Sequence, residues 1–299
     1  MDIRCSAVAD TSAKSFIEKK KQNILIDTFI LILKSKALVI GLIIIGIMLV
    51  LALFPSVFTK FDPNYIDGNA IMLSPCTTHW FGTDMYGRDL FSRVIYATRL
   101  DLFIGVSAMF VPFAIGTSLG LISGYYGGKV DALIMRIVDI LMSFPYMVLC
   151  IMIVAIIGAG IKSLLIAMWL VDWKNYARLI RSEVMIVKNS DFIQAAKVMG
   201  FSDKRILLRH ILPNVLSSAL VYAASDIVVC MMASAGLSFL GIGVQPPTPE
   251  WGALIALGKT SLSKSWWQSF FPGIFLILSG FGFSLIGDGM SDLLRTRGR

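Results

Sequence analysis

Long runs without a charged residue are the feature that most constrains this chain. Residues 37–54, 102–128, 140–161 and 270–287 contain no Asp, Glu, Lys or Arg. A helix needs about 20 mostly apolar residues to cross the hydrocarbon core of a membrane, so each run predicts one crossing. Only 15% of the 299 residues are charged, against about a quarter in a typical soluble domain. The chain is therefore predicted to be an all-α integral membrane protein.

Two further crossings follow from weaker runs. Residues 214–244 are apolar apart from Asp226 and predict one span with an apolar continuation. Residues 162–181 have only a short uncharged core, but the distribution of charge favours a span there. With six spans and a cytoplasmic N-terminus, most of the 27 lysines and arginines lie on the cytoplasmic side, as the positive-inside rule requires. Six transmembrane helices with both termini in the cytoplasm are therefore expected.

Composition also excludes several classes of protein. The net charge of +8 is spread between apolar runs rather than collected on one soluble face, which argues against nucleic-acid binding. The four cysteines are widely separated and form no disulfide or zinc pattern. The segments between the runs are too short to hold a soluble domain with its own core. Pro112 and Pro145 fall within predicted spans and are expected to kink them.

The segment 190–213 carries the most informative local pattern. Ser190 or Asp191 can cap a short helix in which Phe192, Ala196 and Met199 share one apolar face. Gly200 is expected to end that helix in the left-handed conformation.

Beyond Gly200, Ser202 is expected to start a second, basic helix. That helix is predicted to run to a break at Pro213, because proline disrupts a helix interior. The segment thus predicts a short amphipathic helix, a turn and a basic helix leading into the next span.

This segment resembles the cytoplasmic signature of ABC importer permeases. Gln194-Ala-Ala, three residues, Gly200, nine residues and His210-Ile-Leu-Pro213 follow that signature, with Gln194 in place of Glu and His210 in place of Ile. The resemblance implies a coupling helix that docks in a groove of a nucleotide-binding subunit. The residues it assigns to coupling are Phe192, Gln194, Ala195, Ala196, Gly200, Leu212 and Pro213.

Three other segments narrow the resemblance. Residues 79–89 (HWFGTDMYGRD), 238–252 (SFLGIGVQPPTPEWG) and 287–292 (GDGMSD) are similar to segments of dipeptide, oligopeptide and nickel permeases, specifically of their second, C-type subunit. This implies the type I importer permease fold in a bacterial cytoplasmic (inner) membrane. The implied divisions are a cytoplasmic segment 1–36, a first transmembrane helix 37–58, an external segment 59–97, a permease domain 98–289 and a cytoplasmic tail 290–299.

The same resemblance implies partners. These are a second permease, two ATP-binding subunits, an extracytoplasmic substrate-binding protein and membrane lipid, without nucleic acid. The stretch 124–129 lacks the glycine spacing and the Ser/Thr of a phosphate-binding loop. We therefore expect no cofactor in this chain, with ATP and Mg²⁺ bound by the partner subunits. Peptides are the implied cargo, and nickel, a metal chelate or a glutathione-like compound are the alternatives.

Two other classes of function can be compared with the sequence. Ionisable residues within spans are functional candidates, and Asp139, Asp172 and Asp226 could serve a secondary transporter as an ion relay, or could be structural pairs such as Asp139 with Arg136. A membrane enzyme is disfavoured because His79 and His210 are predicted on opposite sides of the bilayer. No catalytic or metal-binding set is predicted.

The two external segments each have two interpretations. Residues 79–89 can be a solvated turn or more than scaffolding, although the spacing of His79, Asp84 and Asp89 matches no metal motif. The proline-rich stretch Gln245–Trp251 cannot continue a helix. It is either an ordered cap or a docking surface for a binding protein.

Overall fold

The computed structural model describes residues 35–297, with side chains as far as residue 294. Within this range the secondary structure is helical, apart from one isolated bridge between Thr83 and Asp89. The predicted cytoplasmic segment 1–36 lies outside the described residues except for Ser35 and Lys36. The division of the chain into segments stays a prediction.

The helices begin with α1 (Lys36–Leu53), α2 (Pro55–Phe58), α3 (Leu90–Tyr126), α4 (Gly128–Met142), α5 (Tyr146–Ile157) and α6 (Ile161–Val187). They continue with α7 (Asp191–Val198), α8 (Asp203–Arg205), a π-helical segment (Ile206–Ile211), α9 (Leu212–Phe239), α10 (Trp251–Lys259) and α11 (Trp267–Arg297). Side chains cap several of these helices: Ser35, Asp89 and Glu250 each accept a hydrogen bond from a backbone N–H of the first turn.

Four helices are long and apolar enough to cross a membrane: α1, α3, the continuous helix Asp203–Phe239, and α11. A fifth crossing results if α4 and α5, which meet at 88°, are counted as one broken span. The run 140–161 is divided next to Pro145, where a kink is expected from the sequence. Helix α4 ends at Met142 and α5 begins at Tyr146, because Pro145 disfavours a helical conformation in the residue before it and lacks an N–H donor.

The weakest predicted span, residues 162–181, lies inside α6. This helix has 27 residues, which gives it a length of about 40 Å, enough to cross the hydrocarbon core. Its charged residues make it less apolar than the four helices named above. Two of these residues, Asp172 and Lys174, are buried inside the protein. The sixth crossing therefore stays a prediction.

Close packing of α3 against α6 forms the centre of the bundle. Gly116, Gly120 and Gly124 lie four residues apart on α3, and each faces the backbone of α6. A Cβ atom on Gly120 would lie 2.7 Å from the carbonyl oxygen of Ala177 and 2.9 Å from Cβ of Ile180. Small residues at this spacing let two helices approach closely, which is how membrane helices gain contact without a hydrophobic driving force.

The predicted helix break at Pro213 is wrong. The chain stays helical from Asp203 to Phe239, and the turn before the proline widens into the π-helical segment Ile206–Ile211. In the π-helical turn the backbone hydrogen bonds join residues five apart instead of four. This change occurs just before Pro213, which has no N–H to donate. The carbonyl oxygen of His210 accepts a hydrogen bond from Nδ2 of Asn214, 2.6 Å away.

Helix α3 connects the two ends of the molecule. Its 37 residues extend about 55 Å. At the Leu90 end, residues 59–89 and 240–266 form what we call the cap. Hydrogen bonds tie these two segments to the long helices, such as Arg93 Nη2 of α3 to Pro247 O at 3.4 Å and Trp267 Nε1 of α11 to Thr83 O at 3.3 Å. At the Tyr126 end lie α7 and α8.

Candidate functional site

One face of α7 anchors the helix to its own subunit. Ile193 is fully buried and Ala196 is 2% exposed. Both belong to an apolar cluster with Ile206 and Ile211 of the π-helical segment and with Ile180 of α6. Ser190 begins the helix, but its hydroxyl donates to the carbonyl oxygen of Val187 at 2.6 Å rather than capping a backbone N–H. The cluster fixes α7 to the end of the bundle.

The other face of α7 points out of the protein. Phe192 is 49%, Val198 89% and Met199 64% exposed. Gln194 and Ala195 are also exposed, and Gln194 Nε2 donates to the carbonyl oxygen of Lys188 at 3.1 Å. The expectation that Phe192, Ala196 and Met199 share one face is wrong, because Ala196 turns inward with Ile193.

The turn after α7 has the predicted left-handed residue. Gly200 has φ +76°, and a Cβ atom there would meet nothing within 4 Å. Phe201 N–H donates to the carbonyl oxygen of Ala196 at 3.2 Å, which closes the end of the helix. The ring of Phe201 stacks on His210, with centroids 5.8 Å apart, and lies under the guanidinium of Arg205. The reversal therefore depends on backbone conformation rather than on space.

Two of the residues assigned to coupling lie farther along the chain. Leu212 is partly buried against the same apolar cluster as Ile193, and Pro213 is exposed. Leu212 thus packs against the cluster that holds the buried face of α7, while Pro213 faces away from the core.

Hydrogen bonds tie this end of the molecule to α3. The hydroxyl of Tyr125 donates to Asp203 Oδ1 at 2.6 Å, and Nζ of Lys188 donates to the carbonyl oxygen of Tyr125. The residues on either side of α7, Lys188 before it and Asp203 after it, are thus bonded to the last turn of α3.

Ion pairs join α4 to α6. Arg181 binds Asp131 with two nitrogens, at 2.5 and 2.6 Å. Asp139 pairs with Arg178 of α6, whereas the sequence suggested Arg136 on its own helix. Asp139 is well exposed, and Asp131 of the same helix also accepts a hydrogen bond from the hydroxyl of Ser123 on α3.

Asp172 and Asp226 form a buried acidic pair between α6 and α9. They are 2% and 3% exposed, and their oxygens lie within 4.8 Å of Cys230 Sγ and of one another. Tyr176 donates to Asp226 at 2.8 Å, and Asn175 donates to Asp172 at 2.7 Å. These three ligand atoms could hold a cation, but Asn175, Tyr176 and Cys230 already donate to the two carboxylates. The functional role of Asp139, Asp172 and Asp226 stays a prediction.

Buried charges organise the cap. Asp84, 2% exposed, accepts Arg88 Nε at 2.7 Å and lies 3.7 Å from Arg93 Nε. It also accepts the backbone N–H groups of Tyr86 and Arg88. His79 pairs instead with Asp89, Nδ1 to Oδ1, at 2.9 Å. The residues that a metal site would have needed are thus divided between the ion pairs of Asp84 and the hydrogen bond of His79 with Asp89.

The stretch 245–251 ends in a buried helix cap. Glu250 is fully buried and its Oε2 accepts the N–H of Ala253 at 2.7 Å. Burial raises the pKa of Glu250 above its usual range. Trp251 is also fully buried, and its indole N–H donates to Val94 O on α3 at 3.1 Å. Glu250 and Trp251 are thus packed inside the protein, whereas residues 245–248 are exposed, and both interpretations of this stretch stay predictions.

Apolar helices and a close-packed centre together define a multi-pass membrane protein, with an exposed apolar face on α7. The chain belongs to the family of binding-protein-dependent transport system inner membrane components, whose pattern matches residues 116–299. The predicted ABC importer permease class is thereby confirmed, and the chain is a transport component rather than an enzyme.

Curated relatives extend the likeness beyond that domain. The chain is 40% identical over 261 residues to the dipeptide transport system permease protein DppC of Alkalihalophilus pseudofirmus, covering 87% of this chain and 86% of that one. It is 35% identical over 290 residues to the oligopeptide transport system permease protein OppC of Bacillus subtilis, covering 96% and 94%. The glutathione transport system permease protein GsiD of Escherichia coli is 41% identical over 249 residues, 83% of this chain and 82% of GsiD.

A solved structure confirms the fold. A chain of the MetNI methionine ABC transporter, in an inward-facing conformation, superposes with a TM-score of 0.54 and 20% identity, covering 70% of this chain and 97% of that chain. The predicted type I importer fold and the multi-pass location in an inner membrane are therefore confirmed. The number of six transmembrane helices stays a prediction.

Sequence reasoning missed two features. The glycines 116, 120 and 124 carry a visible signal, since their spacing of four residues in an apolar run is typical of close helix packing. The contact of Glu250 with Asp101 on α3 carries none, because these residues are 149 positions apart and meet only in the fold.

Proposed function

We propose that this chain is one of two permeases in an ATP-driven, binding-protein-dependent importer of peptides. The observation that carries the proposal is the 40% identity to a dipeptide permease along most of both chains. The other relatives named above transport oligopeptides or glutathione according to their names, and these are also peptides. Nickel or a metal chelate has no counterpart among them, so the peptide cargo is preferred.

The proposed complex contains a second related permease, two ATP-binding subunits and an extracytoplasmic substrate-binding protein. ATP and Mg²⁺ are bound by the ATP-binding subunits and not by this chain. The outward apolar face of α7 supports this arrangement, because a permanently exposed Phe192, Val198 and Met199 would be costly in water. A groove on an ATP-binding subunit would cover that face.

The proposed orientation places both termini and α7 in the cytoplasm. Basic residues cluster around α7 and α8, as expected for a cytoplasmic segment. They are Lys188, Lys197, Lys204, Arg205 and Arg209. The cap then lies on the opposite side, where a binding protein delivers its cargo.

In this proposal α7 is a short rigid helix that transmits movement from the ATP-binding subunit to the permease. Its inner face is fixed by Ile193 and Ala196, so a push on Phe192 or Met199 moves the cluster beneath. The bond from Tyr125 to Asp203 carries that movement to α3. Ala196 then contributes by allowing close packing within the subunit rather than by touching the partner.

Replacing Gly200 with valine is expected to weaken the association with the ATP-binding subunits while leaving the permease in the membrane. A β-branched residue at φ +76° costs roughly 1–2 kcal/mol or more, which would be relieved by a shift of α7. Co-purification of the tagged permease with its ATP-binding subunits, and ATPase activity of the complex, measure the effect.

The matched control is Gly200→Asn, because asparagine tolerates the left-handed conformation and open space surrounds the position. We expect Asn to retain most of the association. Equal loss in both variants would show that bulk, rather than backbone conformation, matters there. Normal assembly and transport in the valine variant would contradict the coupling role.

The cargo is tested by uptake into proteoliposomes that contain the assembled importer and its binding protein. A labelled dipeptide should accumulate only when ATP and the ATP-binding subunits are present, and radioactive nickel should not. Accumulation by the permease alone, driven by a proton gradient, would instead support the secondary-transporter alternative.

A further inference from the structure

A cavity of about 770 Å³ opens where α1 ends. It lies between the segment that follows α2, the first turns of α3 and the loop residues Thr248 and Pro249. Its polar lining includes Lys60, Asp62 and Arg99. Since α1 and α3 are both apolar spans, the end of α1 lies near the boundary between hydrocarbon and water.

An apolar groove of about 520 Å³ continues from this cavity along α1 and α3. Arg99 and Phe103 line both spaces, so the two are contiguous. Below them the groove is formed by Leu53 of α1 and by Val106 and Phe110 of α3, among other apolar side chains. The whole surface therefore has a charged head and an apolar tail.

The length of the groove fits one leaflet of a bilayer. From Arg99 to Phe110 the helix advances eleven residues, which corresponds to about 16 Å. The hydrocarbon core is about 30 Å thick, so one leaflet is about half of that. A single acyl chain of a membrane lipid would fill this depth.

The charge at the head of the groove fits a phosphodiester. Lys60 and Arg99 are both exposed, and neither has an ion pair within the described part of the chain. Asp62 is the acidic residue in the same lining, and its Oδ1 already accepts the N–H of Asn64 at 2.7 Å. Two cations and one carboxylate leave one positive charge, which matches the single negative charge of a phospholipid phosphate.

We propose that this groove binds a phospholipid, with the phosphate between Lys60 and Arg99 and an acyl chain between α1 and α3. Basic residues at membrane interfaces are suited to such headgroups, and the bilayer supplies the ligand at high local concentration. A helix of another protein is a poorer fit, because it would leave the two cations at the head of the groove without a counter-charge. The lipid would contact both α1 and α3 along the groove.

Native mass spectrometry of the purified importer, saturated with phosphatidylglycerol, tests this proposal. We expect the double variant K60Q/R99Q to bind the tightly held lipid about tenfold or more weakly than the parent protein. The control is K162Q/K264Q, which removes the same charge from two exposed lysines outside the groove. That control should retain the lipid.

A second variant tests the acyl chain independently of charge. Val106→Trp places a large ring in the groove, where Val106 is 43% exposed, and we expect it to displace the lipid while the complex stays assembled. Undiminished lipid binding in both K60Q/R99Q and V106W would overturn the proposal. So would release of the second permease from these variants with the lipid retained, because the groove would then be a protein interface.

Discussion

Replacing Gly120 with leucine is expected to separate α3 from α6 and to prevent the subunit from folding stably. The first atom of the new side chain would lie 2.7 Å from the Ala177 carbonyl oxygen, and a backbone atom cannot turn away as a side chain can. Overpacking a well-packed site typically costs 1–3 kcal/mol, and a backbone clash in the most extensive helix contact should exceed about 3 kcal/mol. Thermal unfolding of the detergent-solubilised protein, followed by size-exclusion chromatography, measures the loss.

Gly46→Leu is the matched control for this substitution. Gly46 also lies in a membrane-spanning helix, α1, but a Cβ atom there would meet nothing within 4 Å. Its unfolding temperature should stay close to that of the parent protein. A Gly120→Leu protein that unfolds at the parent temperature would show that α3 and α6 are not packed as closely as described.

Replacing Asp84 with asparagine is expected to destabilise the cap. Asparagine keeps an oxygen for the backbone N–H groups of Tyr86 and Arg88, so the change mainly removes the negative charge. Arg88 and Arg93, whose side chains are 7% and 2% exposed, then lose their shared counter-ion. Breaking a buried ion pair by removing one partner costs about 3–5 kcal/mol. Limited proteolysis of residues 59–89 in the intact complex should detect the loosened cap.

Asp67→Asn serves as the comparison. Asp67 lies in the same cap, and its carboxylate accepts only the exposed N–H of Asn69, at 2.9 Å. Its removal should leave the protease resistance nearly unchanged. Equal sensitivity of the two variants would mean that the arginines find other partners and that Asp84 has no special role.

The membrane helices could be predicted because lipid imposes a simple requirement. A span must be apolar for about 20 residues, and this is visible in single runs such as 37–54 and 270–287. What happens inside a run is less visible. Pro145 divides one run into two helices at 88°, whereas Pro112 leaves α3 unbroken and Pro213 is absorbed by a π-helical segment. The outcome depends on the neighbouring helices that can satisfy the freed backbone groups.

The position of the candidate site along the chain could be predicted, but the side chains that it exposes could not. The helix-capping residue types at Ser190 and Asp191, together with Gly200, locate α7 in the sequence. The positive φ at Gly200 confirms the expected turn. Periodicity could not choose the buried face, because Phe192 and Ile193 are both large and apolar and lie side by side. The burial of Ile193 and the exposure of Phe192 depend on where α3 and α6 lie, which is a property of the fold.

Helix α3 is one continuous element that links the two ends of the molecule. Its first turn is anchored by Asp89 and Trp251, and its last turn is bonded to Asp203 beside α7. The helix is continuous over its 37 residues, with Pro112 inside it. In the proposed importer, a tilt imposed at one end of this helix would appear at the other end as an opposite swing, which is the movement needed to open the two mouths of a transport path in alternation.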